Sequence, residues 1–373
     1  MIPASTAQEF QLNSGPHNGA AIGPLRLKIS SHGETVTSAI PDMGYLHRGI
    51  EKSAERIQWG GLTAFMDRVD YLAPIHCELA YALSVERLAG IEAPARAQRI
   101  RLITGEINRI GSHLYACSTM ATKLGASTAG LYLLRDREKI NNLFEMLCGS
   151  RLTYNYIRVG GVAFDLSEGF IEKTTEALSY LEPKLEEYRC LLLGNKIFSG
   201  RLVGVGTITT EQAWAVGLSG PNMRATGENL DLRGSRPYCG YEGYRDCLGR
   251  AGATVPQGGD SYSRFVTRLA EIQDSIDIIR EALEMVRGGS YRVGLPLDFR
   301  PPAGESYAEI EGARGIFGVY VVSSGGTSPE RLKIVSPSLQ AVTLLPRLLR
   351  GAQLSDVPTI VSSLDIMVSE VDR

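Results

Sequence analysis

Two short stretches of the sequence bring together side chains able to do chemistry. "GYLHRGIEK", Gly44 to Lys52, holds His47, Arg48, Glu51 and Lys52, and "DRVDYL", Asp67 to Leu72, holds Arg68, Asp70 and Tyr71. If the second stretch is helical, Arg68 and Tyr71 lie three apart on one face. A tyrosine beside a cation can hydrogen-bond an oxygen-bearing ligand and donate a proton to it. The competing reading is a core tyrosine whose hydroxyl is tied to Asp70 or Arg68. For the first stretch the competing reading is a solvated helix start. A third stretch, "SGPHNGAAIG", Ser14 to Gly23, carries three glycines, a proline and His17, too many breakers for a strand or helix, and is expected to be a loop.

Metal and nucleotide chemistry find little support. The cysteines, Cys77, Cys117, Cys148, Cys190, Cys239 and Cys247, form no CxxC pair, so neither a zinc ribbon nor a locally held cluster is expected, and buried free thiols are. The five histidines show no HxxxH or HxxEH spacing. "GVG" at 204–206 lacks the rest of a phosphate loop.

The elements that must position these residues follow from periodicity. A chain of 373 residues, 43% hydrophobic and 21% charged, can bury a sizeable core. A net charge of -2 without a basic run gives no reason to expect a nucleic acid, and no apolar stretch is long enough to span a membrane. Leu25, Leu27 and Ile29 alternate, "SSHGET" turns, and Val36 to Ile40 resumes, which predicts a hairpin. Ile100, Ile103, Ile107, Ile110 and Leu114 predict a helix from Ala95 onward. Ile171, Leu178, Leu181 and Leu185 predict a second, and Phe265 through Val286 a third of about six turns. The glycine-rich stretch from Leu202 to Tyr241 reads as irregular and packed on a partner. "FGVYVVSSGGTSPERLKIV" reads as two strands, and "SLQAVTLLPRLLRG" as a helix. The expected architecture is one α+β unit over 1–373: an N-terminal sheet and loop at about 14–60, a helical core at 61–290 and a C-terminal α/β part at 291–373.

"GYLHRGIEK", "DRVDYL", "AYALSVERLAGIEAPARAQRIR", "RDREKI", "NYIRVGGVAFDL", "FRPPAGESY" and the terminal "EVDR" resemble, in order and over nearly the whole chain, the hydrogenase-like D-type subunits of NADH:quinone oxidoreductase, respiratory complex I. The resemblance implies a fold similar to the nickel-iron hydrogenase large subunit, without the two CxxC pairs that hold the hydrogenase metal. It implies no cofactor held by this chain alone. Instead, a quinone would bind at the interface with the B-type iron-sulfur subunit, whose cysteines hold a tetranuclear cluster. Further partners would be the C-type subunit, the ferredoxin-like I-type iron-sulfur subunit and the H-type membrane subunit. The location would be peripheral, on the cytoplasmic face of the inner membrane or its organelle equivalent.

Carried over by motif, Tyr71 would hydrogen-bond the quinone and act catalytically. His17, Asn18, Ile22, Asp365, Met367 and Arg373 would stand at the quinone cavity, and Arg48, Arg68 and Thr153 near the cluster, where arginines favour the reduced, more negative form. The family's loop GPxHPxxHG places Asn18 and Ile22 where its histidines stand, with His17 one residue early. Lys123 replaces the aspartate that pairs with the second histidine, and Thr153 replaces a histidine found in many members. A carboxylate-imidazole proton shuttle is therefore missing. Three functions follow: one component of a quinone-reducing, proton-pumping translocase; a related complex using another donor, such as reduced ferredoxin, or a non-quinone acceptor; or a scaffold with a degenerate site.

Overall fold

The computed structural model describes residues 9–17, 19–249 and 255–373. Three antiparallel strands open the chain: β1 (Glu9–Ser14), β2 (Arg26–His32) and β3 (Thr35–Asp42), in the order β1-β2-β3. The hairpin is where alternation puts it. Leu25, Leu27 and Ile29 are buried while Lys28 between them is exposed, and Lys28 pairs with Ile40 across the ladder. β1 begins at Glu9, ahead of the expected start of the sheet, because its mostly exposed residues leave no buried periodicity to read.

The centre is helical. α1 (Pro74–Ala89) starts on a proline whose missing N–H falls among the unsatisfied donors of a first turn, and ends at Gly90 with φ 65°. α2 (Ala95–Lys123) buries all five apolar positions of its predicted stripe. α3 (Ser127–Cys148) and α5 (Ser261–Glu284) pack along it, and α4 (Phe170–Tyr188) packs against α3 and α5. Two expectations need correction. Ile171 is exposed, and Phe170 takes the inward position beside Leu178. Val286 lies past the end of α5, where Met285 closes the helix. The thiol expectation also needs an amendment, since Cys190 is exposed and Cys148 only partly covered.

The C-terminal part forms a second antiparallel sheet, β4 (Gly304–Glu311), β5 (Ile316–Ser323) and β6 (Arg331–Val335), with α1 packed across β4 and β5. α6 (Pro337–Leu349) then packs against β3. The three expected sections are thus interleaved. Ile310, Phe317, Val319 and Ile334 of the second sheet join the helical core, while Leu25, Leu27 and Ile29 share a core with Leu344, Leu345 and Ile360. The glycine-rich stretch is irregular apart from short helical turns, and it packs on this chain: Ile208, Ala213, Leu218 and Met223 belong to the same core as the first sheet.

α2 is buried nearly all round, so its charged residues must be paired inside the protein. Glu106 accepts from Arg109, Arg233, Ser275 and Tyr241. Burial pushes its carboxyl up, but Arg109 and Arg233 outweigh that effect and hold it below the usual carboxylate range. This stabilisation is complete above the unfolded pKa, and it is lost as pH falls through the depressed folded value. Glu106→Gln leaves buried Arg109 without its carboxylate partner, while Arg233 keeps Asp231, and is expected to cost about 3–5 kcal/mol. Chemical denaturation of the two chains at neutral pH checks this, and equal stability contradicts it.

Candidate acceptor site around Tyr71

Tyr71 sits in the turn between the short helix Thr63–Met66 and α1. Asp70 and Asn108 shape that turn. Asp70 Oδ1 accepts from the backbone N–H of Leu72 at 3.1 Å and Ala73 at 3.2 Å. Asn108, reaching from α2, accepts from Ile75 N–H at 3.1 Å and donates to Leu72 O at 3.2 Å. With the backbone fixed on both sides, the ring of Tyr71 packs against Ile22, Leu72 and Met367, beside Tyr115.

Asp70 Oδ2 is taken by Arg314 Nη1, and Arg68 donates to Ala64 O at 2.5 Å. Neither holds the tyrosine hydroxyl, which has no protein hydrogen-bond partner among the described residues. The reading of Tyr71 as a core tyrosine tied to Asp70 or Arg68 therefore fails. Burial, and then Tyr115 beside it, push the hydroxyl's pKa above its ordinary value against Arg314 and Arg48. Tyr71 thus remains a neutral donor through the physiological range.

The loop expected at 14–23 forms one side of this cluster. Ile22 N–H donates to Ile366 O at 3.0 Å, and Val368 N–H donates to Ile22 O at 2.9 Å, a parallel bridge that places Ile22 against Met367. Lys123 lies over the same loop, its Nζ only 2.6 Å from where a side chain on Gly19 would begin. Gly19, at φ 62°, is favoured by its left-handed backbone conformation, while the flexible end of Lys123 could move aside. His17 is exposed, and Asn18 lies outside the described residues.

Beneath the cluster, Arg314 Nε meets the Asp365 carboxylate at 3.3 Å and donates to the Asp365 carbonyl at 3.1 Å. Asp365 adopts φ 55°, an unusual conformation for a residue with a side chain, and this guanidinium holds it there. Glu370 is also buried nearby, hydrogen-bonded by Ser338, and its carboxyl is pushed up to about 8 by burial and by Asp70. Asp70 and Asp365 both pair with one guanidinium, that of Arg314. The sequence reading missed Arg314 and Glu370, because nothing local in "GARGI" marks a partner 244 positions away, and nothing in "SEVDR" one 32 positions away.

Arg48 and Arg68 form an exposed cationic pair beside Tyr71, with Arg48 donating to Arg68 O. Burial and Arg68 lower the pKa of Arg48, while Tyr71 and Asp372 raise it. The segment carrying Arg48 is fastened to the C-terminus: Asp372 accepts from Gly44 N–H at 2.9 Å and Leu46 N–H at 2.8 Å, and His47 Nδ1 lies 2.7 Å from Asp372 O, which requires the proton on Nδ1. His47 and Glu51 are thereby structural. Glu51 accepts from Ile334 N–H at 3.0 Å and pairs with Lys333 at 3.1 Å. Arg373 belongs to that same group, 3.4 Å from Glu51 and donating to Ile334 O at 2.7 Å. Thr153 lies in the segment after α3, its carbonyl accepting from Ser150 at 2.6 Å. No group of three or more His, Cys, Asp and Glu side chains among the described residues is arranged to hold a metal. No described helix is long and apolar enough to cross a membrane.

Comparison with known proteins gives the family. Residues 123–297 and 295–373 match the family described as respiratory-chain NADH dehydrogenase, 49 Kd subunit. The D-type subunit of NADH-quinone oxidoreductase from Desulforamulus reducens is 42% identical over 367 residues, covering 98% of each chain. Its counterpart in Carboxydothermus hydrogenoformans is likewise 42% identical, over 98% of this chain and 99% of that one. Among solved structures, a chain of the membrane-bound sulfane sulfur reductase, an archaeal respiratory membrane complex, superposes with a TM-score of 0.92 at 34% identity, covering 99% of this chain and 100% of the other. The hydrogenase-like α+β architecture and the nearly full-length similarity converge: this chain belongs to the 49 Kd, or D-type, subunit family of the respiratory-chain NADH dehydrogenases.

Proposed function

We propose that this chain is the acceptor-site component of a multisubunit, complex I-type respiratory oxidoreductase, and that Tyr71 donates a hydrogen bond to a quinone. The observation that carries this is the unpartnered Tyr71 hydroxyl at the edge of an apolar cluster, with Asp70 and Arg68 engaged elsewhere. Quinone reduction consumes two electrons and two protons, and charge builds on the carbonyl oxygens as electrons arrive. A neutral, pre-oriented O–H donor stabilises that charge. Ile22, Leu72 and Met367 offer the apolar contact a ring requires, and exclude water from it.

The exposed Arg48–Arg68 pair fits an anionic iron-sulfur cluster held by a B-type partner. Such a cluster supplies electrons singly, and nearby guanidiniums favour its reduced form. The ferredoxin-like I-type iron-sulfur protein, the C-type subunit and the H-type membrane protein complete the proposed assembly, with this chain peripheral to the membrane. Protons cannot come from an imidazole at position 22. The Lys123 ammonium lies above Gly19 of the loop, and exposed His17 is its remaining imidazole.

A second reading has its own support. The similar solved chain comes from a sulfane sulfur reductase, and the loop here lacks both family imidazoles, so a sulfur-chain acceptor at the same tyrosine, with reduced ferredoxin as donor, is the alternative.

Membrane complexes assayed with NADH or reduced ferredoxin as donor, and a short-chain quinone or polysulfide as acceptor, separate these readings. Tyr71→Phe is expected to lower acceptor reduction on the order of 10²-fold with assembly intact, and wild-type turnover in that variant overturns the role. Because the hydroxyl's pKa is raised above its ordinary value near 10, the wild-type profile should show no alkaline loss attributable to Tyr71 below about pH 10. The triple variant Asn18→His, Ile22→His, Lys123→Asp restores an imidazole-carboxylate route, and should shift the pH profile or the preferred acceptor. An unchanged profile and preference means that protons arrive elsewhere.

A further inference from the structure

Between Ile100 and Ala121 every residue of α2 is buried except Tyr115 and Thr119. Together with exposed Lys123 they stand four apart, so they form one stripe along the helix. One end of the stripe meets the cluster described above, where Tyr115 packs with Tyr71 against Ile22, Leu72 and Met367. At the other end Lys123 Nζ lies over Gly19, in the loop that carries Ile22. Along this length α2 is thus uncovered where it borders the candidate site.

Tyr115 is held in place from behind. The guanidinium carbon of Arg137, on α3, stands 5.4 Å from the centroid of its ring, and Arg137 Nε donates to Gly111 O at 3.2 Å, which keeps the cation against the ring. Thr119 donates to the Tyr115 carbonyl at 3.0 Å, so its own hydroxyl is engaged by the helix. The Tyr115 hydroxyl meets no protein hydrogen-bond partner among the described residues. Two phenols therefore pack on one apolar cluster with their hydroxyls unpartnered.

We infer that Tyr115 donates a second hydrogen bond to the acceptor held at Tyr71. The inference rests on the proposal that an acceptor binds there. Position 22 carries no imidazole, so without Tyr115 the charge arriving on the acceptor would meet a single neutral donor within apolar surroundings. A second O–H donor, fixed before the electrons arrive, stabilises that charge without reorganisation. The role is hydrogen bonding alone, and no bond is formed or broken at the Tyr115 oxygen. Arg137 acts through the ring as a positioning residue.

The test uses membrane complexes with a short-chain quinone labelled with carbon-13 at its carbonyls, driven by whichever of NADH and reduced ferredoxin supports wild-type turnover. Tyr115→Phe keeps the ring and its contact with Arg137, and should lower kcat about 10- to 100-fold with KM within about 3-fold of wild type. In infrared difference spectra the carbonyl stretch of the bound quinone should move to higher frequency in Tyr115→Phe, as it should in Tyr71→Phe, because each variant removes one hydrogen bond. Wild-type turnover and an unmoved carbonyl band in Tyr115→Phe, with Tyr71→Phe impaired, overturn the inference and leave the parent proposal standing. Impairment of Tyr115→Leu but not of Tyr115→Phe also overturns it, since the ring and not the hydroxyl would then carry the role. Wild-type turnover in Tyr71→Phe contradicts the parent proposal instead, and the inference falls with it.

Discussion

One guanidinium holds the candidate site around Tyr71 in register. Arg314, in the tight turn between β4 and β5, spans Asp70 beside Tyr71 and Asp365 in the C-terminal segment, and is itself almost fully buried. The two contacts join residues 244 and 51 positions away along the chain. Removing one member of such a group leaves an uncompensated buried charge, at a cost of about 3–5 kcal/mol. Glu370 is buried in the same surroundings, and burial and then Asp70 push its pKa up to about 8.

From that contact the site can be built outward. The C-terminal segment held by Arg314 carries Met367 and supplies the backbone partners that fasten Ile22. Farther along, Asp372 fastens the segment bearing Arg48, and Arg373 reaches Glu51. Loop, cationic pair and tyrosine come from three separate stretches, all tied to the segment from Asp365 to the C-terminus. Tyr71 is consequently held by its neighbours' hydrogen bonds and not by its own, which leaves its hydroxyl available.

Much of this was legible in the sequence where a period or a motif carried it. The stripe from Ile100 to Leu114 and the alternation at Leu25, Leu27 and Ile29 became buried faces, because a packed face imposes 3.6- and 2-residue periods. The ordered motifs led to the family. β1 escaped because exposed residues carry no such period, and Ile171 misled because an apolar residue on the surface is ordinary. The site was only half readable. "DRVDYL" announced Tyr71, but whether its hydroxyl was tied down depended on where Asp70 points, and that is decided by Arg314 far along the chain. The same limit hid the pairing of Arg373 with Glu51.

Whether Tyr71 presents its hydroxyl to the acceptor and not to the protein decides the functional reading. A structure of the assembled complex with a quinone-site inhibitor bound resolves this. An acceptor oxygen should lie within hydrogen-bonding distance of Tyr71 Oη, with Ile22 and Met367 against the ring and the Asp70–Arg314–Asp365 contacts intact. An inhibitor bound elsewhere, with Tyr71 Oη capped by a protein group, would contradict it.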